Sequence, residues 1–208
     1  MGSIVCGMET RELGFVTWFG LMMALVMSHP ATAGEDSASN KDRPSAVAIF
    51  GGIITDNKWE DTVAPWNLDY RDSTFVGLAA SHVIGRFDDR LGFEIEGQVI
   101  RHFGDQDHWE FNLPIVGRWE AFPWDEVVDT SLAFGIGPSY ASEKPKIEVA
   151  NEGDSQRWLV YWMVEIEAGP PDKDWSVIFR LHHRSEAFGL VADEGGSNAM
   201  VIGFKQRF

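Results

Sequence analysis

Apolar and polar residues alternate with a period of two along most of the chain after its first 45 residues. The clearest example is the segment 90–102, in which Phe93 and Ile95 flank Glu94. Because successive side chains of a β-strand point to opposite faces, this pattern predicts a strand with one apolar and one polar face. Eight segments share this character: 46–54, 74–85, 90–102, 108–120, 129–141, 157–168, 174–186 and 198–208.

Bulky apolar residues on one face, with small or charged residues on the other, are typical of a membrane β-barrel that has lipid outside and a polar interior. The segments are long enough for tilted strands to cross a bilayer, which takes about 9–11 residues. The connections alternate long and short from 55–73 onward, like the outer loops and periplasmic turns of outer-membrane proteins. We therefore predict an all-β fold, an eight-stranded antiparallel up-and-down barrel over residues 46–208, in the bacterial outer membrane. A soluble secreted barrel of the lipocalin type, with its bulky faces packed inward, is an alternative.

The first 33 residues have the pattern of a secretory signal peptide. Arg11 precedes an apolar run over 13–27, and Ala31-Thr-Ala33 provides a cleavage site of small residues. The run is short for a spanning helix, so an uncleaved anchor is the weaker alternative. Residues 34–45 are polar and are predicted to form a flexible leader. Cleavage would remove Cys6, the single cysteine of the chain, and with it any disulfide or thiol chemistry.

Composition narrows the class of partners. The formal net charge is −15, which argues against nucleic acid because phosphate binding needs a basic patch. Nine Trp and fourteen Phe favour strands with an aromatic-rich outer face. The last segment ends on Phe208, and a terminal aromatic on an alternating strand resembles the recognition signal of outer-membrane proteins. We therefore expect the membrane and the outer-membrane assembly machinery as partners, the latter through Phe208.

The apolar face of segment 174–186 ends on two polar residues. His183 and Ser185 share the odd register with Phe179 and Leu181. A serine-type ester hydrolase needs a nucleophilic hydroxyl, an imidazole base and a third group that orients the imidazole. Polar groups at the end of a lipid-facing strand cost free energy unless they have a function or reach the headgroups. His183 and Ser185 are therefore the candidate base and nucleophile.

Two residues are candidates for the third group. Asn198 begins the last strand in the register that would share a face with His183, and an asparagine side chain can orient a histidine. Glu194 lies in the intervening loop and would supply a carboxylate instead. The pattern alone leaves both open.

Two stretches resemble the lipid A 3-O-deacylase (PagL-like) family. They are Gly135-Ile-Gly-Pro-Ser-Tyr-Ala-Ser-Glu-Lys-Pro145, and Phe179-Arg-Leu-His-His-Arg-Ser-Glu-Ala-Phe-Gly189 followed by Gly195-Gly-Ser-Asn198 and the closing strand to Phe208. The resemblance implies an eight-stranded outer-membrane barrel that hydrolyses an ester-linked acyl chain of lipid A. The partner it implies is the lipopolysaccharide of the outer leaflet, and it implies no metal or organic cofactor.

The resemblance also implies roles for particular residues. The His-x-Ser of the family matches His183 and Ser185, which would lie on the outside wall of the barrel. The chain departs from the family at Glu186, where the relatives have asparagine, and at Asn198, near which they have an acidic residue. A non-enzymatic outer-membrane barrel with a degenerate triad, acting as a surface or structural protein, is therefore the alternative function.

The other histidines are expected to be structural. His102 and His108 flank a short loop with Asp105 and Asp107, which could hold a surface metal ion but is expected to be a solvated loop. His182 should face the interior beside two arginines. Its expected partners there are the glutamates of the inward register: Glu94, Glu96, Glu165 and Glu167.

Overall fold

The computed structural model describes residues 43–57, 68–187 and 189–208. The predicted signal peptide and almost all of the predicted leader lie outside the described residues. The described part contains nine strands, one α-helix and one 3-10 turn, Asp88–Arg90. Their bounds are β1 Ser45–Thr55, β2 Tyr70–Phe87, β3 Leu91–Gly104, β4 Trp109–Asn112, β5 Ile115–Trp119, β6 Asp129–Ala141, α1 Lys146–Glu152, β7 Trp158–Gly169, β8 Trp175–Ser185 and β9 Gly196–Arg207.

The strands form one closed antiparallel ring. Each strand pairs with the next along the barrel, and β9 pairs with β1, with Ala46 opposite Arg207 and Thr55 opposite Asn198. A closed sheet leaves no open edge, as the hydrocarbon core of a membrane requires. Strands β4 and β5 both lie between β3 and β6, so they are two halves of one barrel strand. The predicted eight-stranded barrel is confirmed.

The fourth barrel strand is interrupted at Leu113 and Pro114, where the alternation predicted an unbroken segment. Proline has no amide hydrogen for the ladder. Pairing nevertheless continues, because the Leu113 amide donates to the Pro138 carbonyl at 3.1 Å and the Glu96 amide donates to the Pro114 carbonyl at 3.0 Å. Gly137 lies opposite the interruption, and a Cβ there would overlap the Leu113 carbonyl, so glycine is needed for this close approach.

The two faces of the ring follow the predicted register. Phe134, Ile136 and Phe179 point outward and are each about half exposed. The lumen is filled rather than open, and the predicted interior charge network is present. Arg118 contacts Glu94, Glu165 and Glu167 at 2.7–2.9 Å, Arg180 contacts Glu96 and Glu165, and Lys205 contacts Glu165 and Glu167.

Helix α1 lies in the outer connection between β6 and β7 and was not predicted. Its Ile147 joins the apolar cluster of the lumen, and its Glu148 is almost fully buried. Ser155 and Ser197 donate hydrogen bonds to Glu148 at 2.6 and 2.8 Å. These contacts tie the connection to the outer end of the barrel.

Among the described residues, no helix combines the length and apolar character needed to cross a bilayer.

Candidate functional site

Strands β8 and β9 bring His183 and Asn198 opposite each other on the outer wall. The Nδ1 atom of His183 lies 2.6 Å from Oδ1 of Asn198. The imidazole also packs against Trp162 on β7, with 4.4 Å between ring centroids. His183 is only 9% exposed although it lies on the outside of the barrel.

The Asn198 amide has one orientation that satisfies both of its neighbours. Its Nδ2 donates to the backbone carbonyl of Asn57 at 2.8 Å, so its oxygen faces His183. Because that oxygen can only accept, Nδ1 of His183 must carry the proton, and Nε2 keeps its lone pair. This is the tautomer that a histidine base needs for taking a proton from a hydroxyl. No sequence pattern pointed to Asn57, because its contribution is a backbone carbonyl in a loop.

Glu194 lies elsewhere in the loop between β8 and β9. It is exposed, and a Cβ built on Gly153, just after α1, would come 3.6 Å from Glu194 Oε2. Glu194 does not line the groove that contains His183. Of the two residues that the sequence left open, Asn198 is therefore the one that contacts Nδ1 of His183.

The Ser185 hydroxyl is held by the two residues that follow it. Its Oγ donates to Oε2 of Glu186 at 3.2 Å and accepts from the amide of Ala187 at 3.0 Å. Ala187 has a φ of 56°, in the left-handed region that is costly for a residue with a Cβ. Glu186 stands where the PagL-like family has asparagine. Its carboxylate accepts a hydrogen bond from the Ser185 hydroxyl and so competes with His183 for the hydroxyl proton.

A groove of about 550 Å³ runs over these residues. Its wall side is apolar and consists of Ile136, Val160 and Trp162, and its rim side is polar and includes Asp56, Asn57, Asn151 and Glu152. His183, Ser185 and Asn198 line the groove between the two sides. An amphiphile with an apolar chain and a polar headgroup matches this division. The groove thus contains a serine hydroxyl and an imidazole with the tautomer of a base, the two groups that acyl transfer requires.

The expectation of a solvated loop at 103–107 is wrong for the flanking histidines. His102 and His108 are each 3% exposed, whereas Asp105 and Asp107 are exposed. The chain keeps its inward even-numbered register across the short connection, so both imidazoles continue the lumen face of β3 and β4. Extending the register of Glu94 and Glu96 through His102 to His108 could have predicted this.

His182 faces the lumen as expected, but with a different partner. Its Nε2 lies 2.9 Å from Oε1 of Glu110, not at any of the four predicted glutamates. Arg184, beside it on β8, contacts Glu148 of α1 at 3.4 Å. The lumen histidines therefore gather around Glu110, which the sequence did not single out.

Comparison with known proteins supports the barrel. No protein-family model matches the sequence, and no curated protein matches it. The crystal structure of the outer membrane enzyme PagL superposes with a TM-score of 0.59 at 14% identity, covering 78% of this chain and 99% of that one. Neisserial surface protein A superposes with a TM-score of 0.48 at 10% identity, covering 79% and 97%. Ail, the attachment invasion locus protein of Yersinia pestis, gives 0.42 at 13% identity, covering 80% and 99%.

The class that the fold defines is the outer-membrane β-barrel. The closed antiparallel ring, the apolar outer face and the polar filled lumen are the features of that class. An outer-membrane location fits them. At 14% identity the likeness to PagL concerns the fold and not the activity.

Proposed function

We propose that this protein is an outer-membrane acyl-ester hydrolase that acts on lipid A of the outer leaflet. Ser185 is the nucleophile, His183 is the general base and Asn198 orients the imidazole. The observation that carries the proposal is the hydrogen bond of 2.6 Å between His183 Nδ1 and Asn198 Oδ1 on the outer wall, in the groove that Ser185 also lines. An imidazole held in the tautomer of a base, on the surface that faces lipid, fits an enzyme whose substrate is in the membrane.

The reaction follows the serine-hydrolase scheme. Nε2 of His183 takes the proton of Ser185 as Oγ forms a bond to the ester carbonyl carbon. The bond between the carbonyl carbon and the sugar oxygen then breaks, and His183 returns the proton to that leaving oxygen, which becomes a sugar hydroxyl. Water, deprotonated by the same imidazole, finally cleaves the acyl-serine ester, releasing a fatty acid and restoring the Ser185 hydroxyl.

The groove supports lipid A rather than a small soluble ester. The apolar wall formed by Ile136, Val160 and Trp162 continues the lipid-facing surface, so an acyl chain can lie on it without leaving the membrane. The polar rim beside Asn57 and Asn151 is suited to the sugar. The ester between chain and sugar then falls near Ser185.

A non-enzymatic barrel is the second candidate, and two observations favour it. The Ser185 hydroxyl donates to Glu186, and Asn198 brings no negative charge to the imidazolium that forms during acyl transfer. In that case the groove would serve as a surface for binding rather than for hydrolysis. The two candidates differ in whether a covalent bond of lipid A is cleaved.

Mass spectrometry of lipid A from cells that contain or lack the chain separates them. The proposal predicts loss of one acyl chain in cells with the wild-type protein and full acylation in cells with Ser185→Ala. His82→Ala is the matched control, because His82 is exposed on β2 near the opposite end of the barrel. Unchanged lipid A in cells with correctly folded wild-type barrel would favour the binding role.

A further inference from the structure

A cluster of buried polar side chains lies inside the barrel below the connection between β3 and β4. We name it the lumen histidine cluster, and it consists of His102, Gln106, His108, Glu110, Asn112 and His182. Each of these residues is at most 4% exposed. The cluster faces the lumen, so it takes no part in the chemistry proposed for the outer wall.

Glu110 is the centre of the cluster. Its two carboxylate oxygens lie 2.9 Å from Nε2 of His102 and 2.9 Å from Nε2 of His182. Asn112 donates to the same carboxylate at 2.8 Å. Gln106 meets the other ring nitrogen of His102 at 3.1 Å. A carboxylate with this many neighbours is fixed in place.

Four members of the cluster keep a polar atom unpaired among the described residues, and His108 is one of them. Its ring stacks on His102 with 4.3 Å between centroids, but within the described part of the chain its buried Nε2 has no hydrogen-bond partner. Gln106 Oε1 is likewise unpartnered among the described residues. Asn112 Oδ1 and His182 Nδ1 of the cluster also have no partner among the described residues. Leaving a buried polar atom unpaired costs about 1–3 kcal/mol, so four such atoms in one cluster indicate that the cluster binds a further group.

We propose that His102, His108 and Glu110 bind one divalent transition-metal ion of the zinc type inside the barrel. Their ligating atoms all lie within 4.8 Å of one another. Two imidazoles and one carboxylate form a donor set that Zn²⁺ favours and that Mg²⁺ and Ca²⁺, which prefer oxygen ligands, do not.

Binding requires a local rearrangement of the cluster. Zn–N bonds of about 2.0–2.1 Å put ligand atoms of a tetrahedral site about 3.4 Å apart, closer than the 4.8 Å limit of the present spacing. Both ring nitrogens of His102 are hydrogen-bonded, so the ion must displace either Gln106 from Nδ1 or Glu110 from Nε2. The stacked ring of His108 must also turn toward the ion. His108 lies in the connection and not in a strand, so it can move more readily than His102. His182 and Asn112 would keep the Glu110 carboxylate oriented from the other side.

Refolding in detergent with zinc provides the test. The full chain is refolded with Zn²⁺, with Mg²⁺ or with a chelator, desalted, and assayed for bound metal and for the midpoint of thermal unfolding. We expect one zinc and no magnesium retained per barrel, with a higher midpoint in the zinc sample. His82→Ala is the control histidine and should retain zinc like the wild type.

His108→Phe is the sharpest variant. Phenylalanine keeps the stacking on His102 and replaces a nitrogen that has no partner among the described residues, so the metal-free barrel should unfold at or above the wild-type midpoint. The same variant should lose the retained zinc and the zinc-dependent rise. His108→Asn provides a second deletion if the phenylalanine variant does not fold. Failure of the wild type to retain zinc, or equal retention by the folded His108 variants, would overturn the proposal.

Discussion

His182 and His183 are neighbours on β8, yet they lie in opposite environments. His182 faces the lumen, where it contacts the Glu110 carboxylate at 2.9 Å and packs against Tyr161 with 4.7 Å between ring centroids. His183 faces outward and meets a neutral amide oxygen of Asn198 at 2.6 Å. The first imidazole is enclosed by the barrel, and the second lines an open groove.

Under the proposed function, the two neighbouring histidines separate stability from chemistry. The pleat of one strand sends adjacent side chains to opposite faces, so the same residue type takes two roles at consecutive positions. A buried histidine bonded to a carboxylate stabilises the lumen because neither group can be solvated instead. His183, on the outer wall, is held by Asn198 in one tautomer and lines the groove in which the proposed substrate would bind.

The largest expected effect is on the rate of lipid A hydrolysis, and it comes from a substitution on the outer face. His183→Phe removes the proposed base, so lipid A hydrolysis by the purified barrel should fall by about 10³-fold or more. The stability of this variant should stay near that of the wild type, because phenylalanine suits a lipid-facing position beside Trp162. Product release measured by mass spectrometry gives the rate, and heat-modifiable gel migration reports the fold. A folded His183→Phe barrel with wild-type activity would contradict the role of His183 as the base.

A smaller effect is expected from the group that orients the imidazole. Asn198→Ala frees the tautomer of His183 and should lower the rate by about 10²-fold, whereas Glu194→Ala should change it by less than about twofold. Glu194 is the matched control because it is exposed in the adjoining loop and does not line the groove. A larger loss from Glu194→Ala than from Asn198→Ala would reassign the third group.

Asn198→Asp sharpens the same assignment. A carboxylate stabilises the imidazolium better than an amide, so the rate should rise. The substitution also removes the donor to the Asn57 carbonyl and places two acceptors against each other, so the midpoint of unfolding should fall. Rate and thermal midpoint measured on the same preparation should therefore move in opposite directions. A lower rate together with a lower midpoint would argue against an orienting role for Asn198.

Substitution of His182, the neighbour of His183 that faces the lumen, is expected to lower stability and leave the hydrolysis rate unchanged. His182→Phe keeps the ring packing against Tyr161 but removes a hydrogen bond to the buried Glu110, which should lower the free energy of unfolding by about 1.5–3 kcal/mol. The hydrolysis rate per folded barrel should stay within about twofold of wild type, since the outer wall is untouched. Urea unfolding in the presence of a chelator measures the stability. Equal stability of His182→Phe and wild type would show that the lumen contact is not needed.

The smallest effect is expected at the periplasmic end, far from both histidines. Phe208 is 62% exposed, and its amide donates to the Ser45 carbonyl at 2.9 Å where β9 meets β1. We propose that the assembly machinery recognises this residue. Deleting Phe208 should lower the amount of barrel in the outer-membrane fraction several-fold and leave the rate per folded molecule unchanged. A normal yield of the deletion variant would show that the assembly machinery does not require Phe208.

The sequence predicted the strands and their faces because alternation is a local property that each segment carries by itself. Pro114 is a local signal for an interrupted strand, but the close approach that keeps the fourth barrel strand paired depends on Gly137 of the neighbouring strand. Helix α1 escaped prediction because Ile147 is buried by residues distant in the sequence. Both depend on contacts between segments, which a single-strand pattern does not contain.

The site was predictable to a similar extent. The strand register alone placed His183 and Ser185 on the outer face. It did not decide whether Asn198 or Glu194 orients the imidazole of His183. The contact between Asn198 and the Asn57 carbonyl could not be inferred, because it joins the last strand to a loop more than a hundred residues earlier. The pairing of Ser185 with Glu186 depends on a turn in which Ala187 adopts a positive φ, and no pattern predicted that turn.

Covalent labelling of the nucleophile tests the central claim most directly. A fluorophosphonate with a long alkyl chain is added to the folded barrel in detergent; an activated serine displaces fluoride and keeps the phosphonyl group, which mass spectrometry locates. The account predicts one adduct, on Ser185, that is absent in His183→Phe and retained in His182→Phe. A folded wild-type barrel that stays unlabelled, or that is labelled on another serine or equally in His183→Phe, would contradict it.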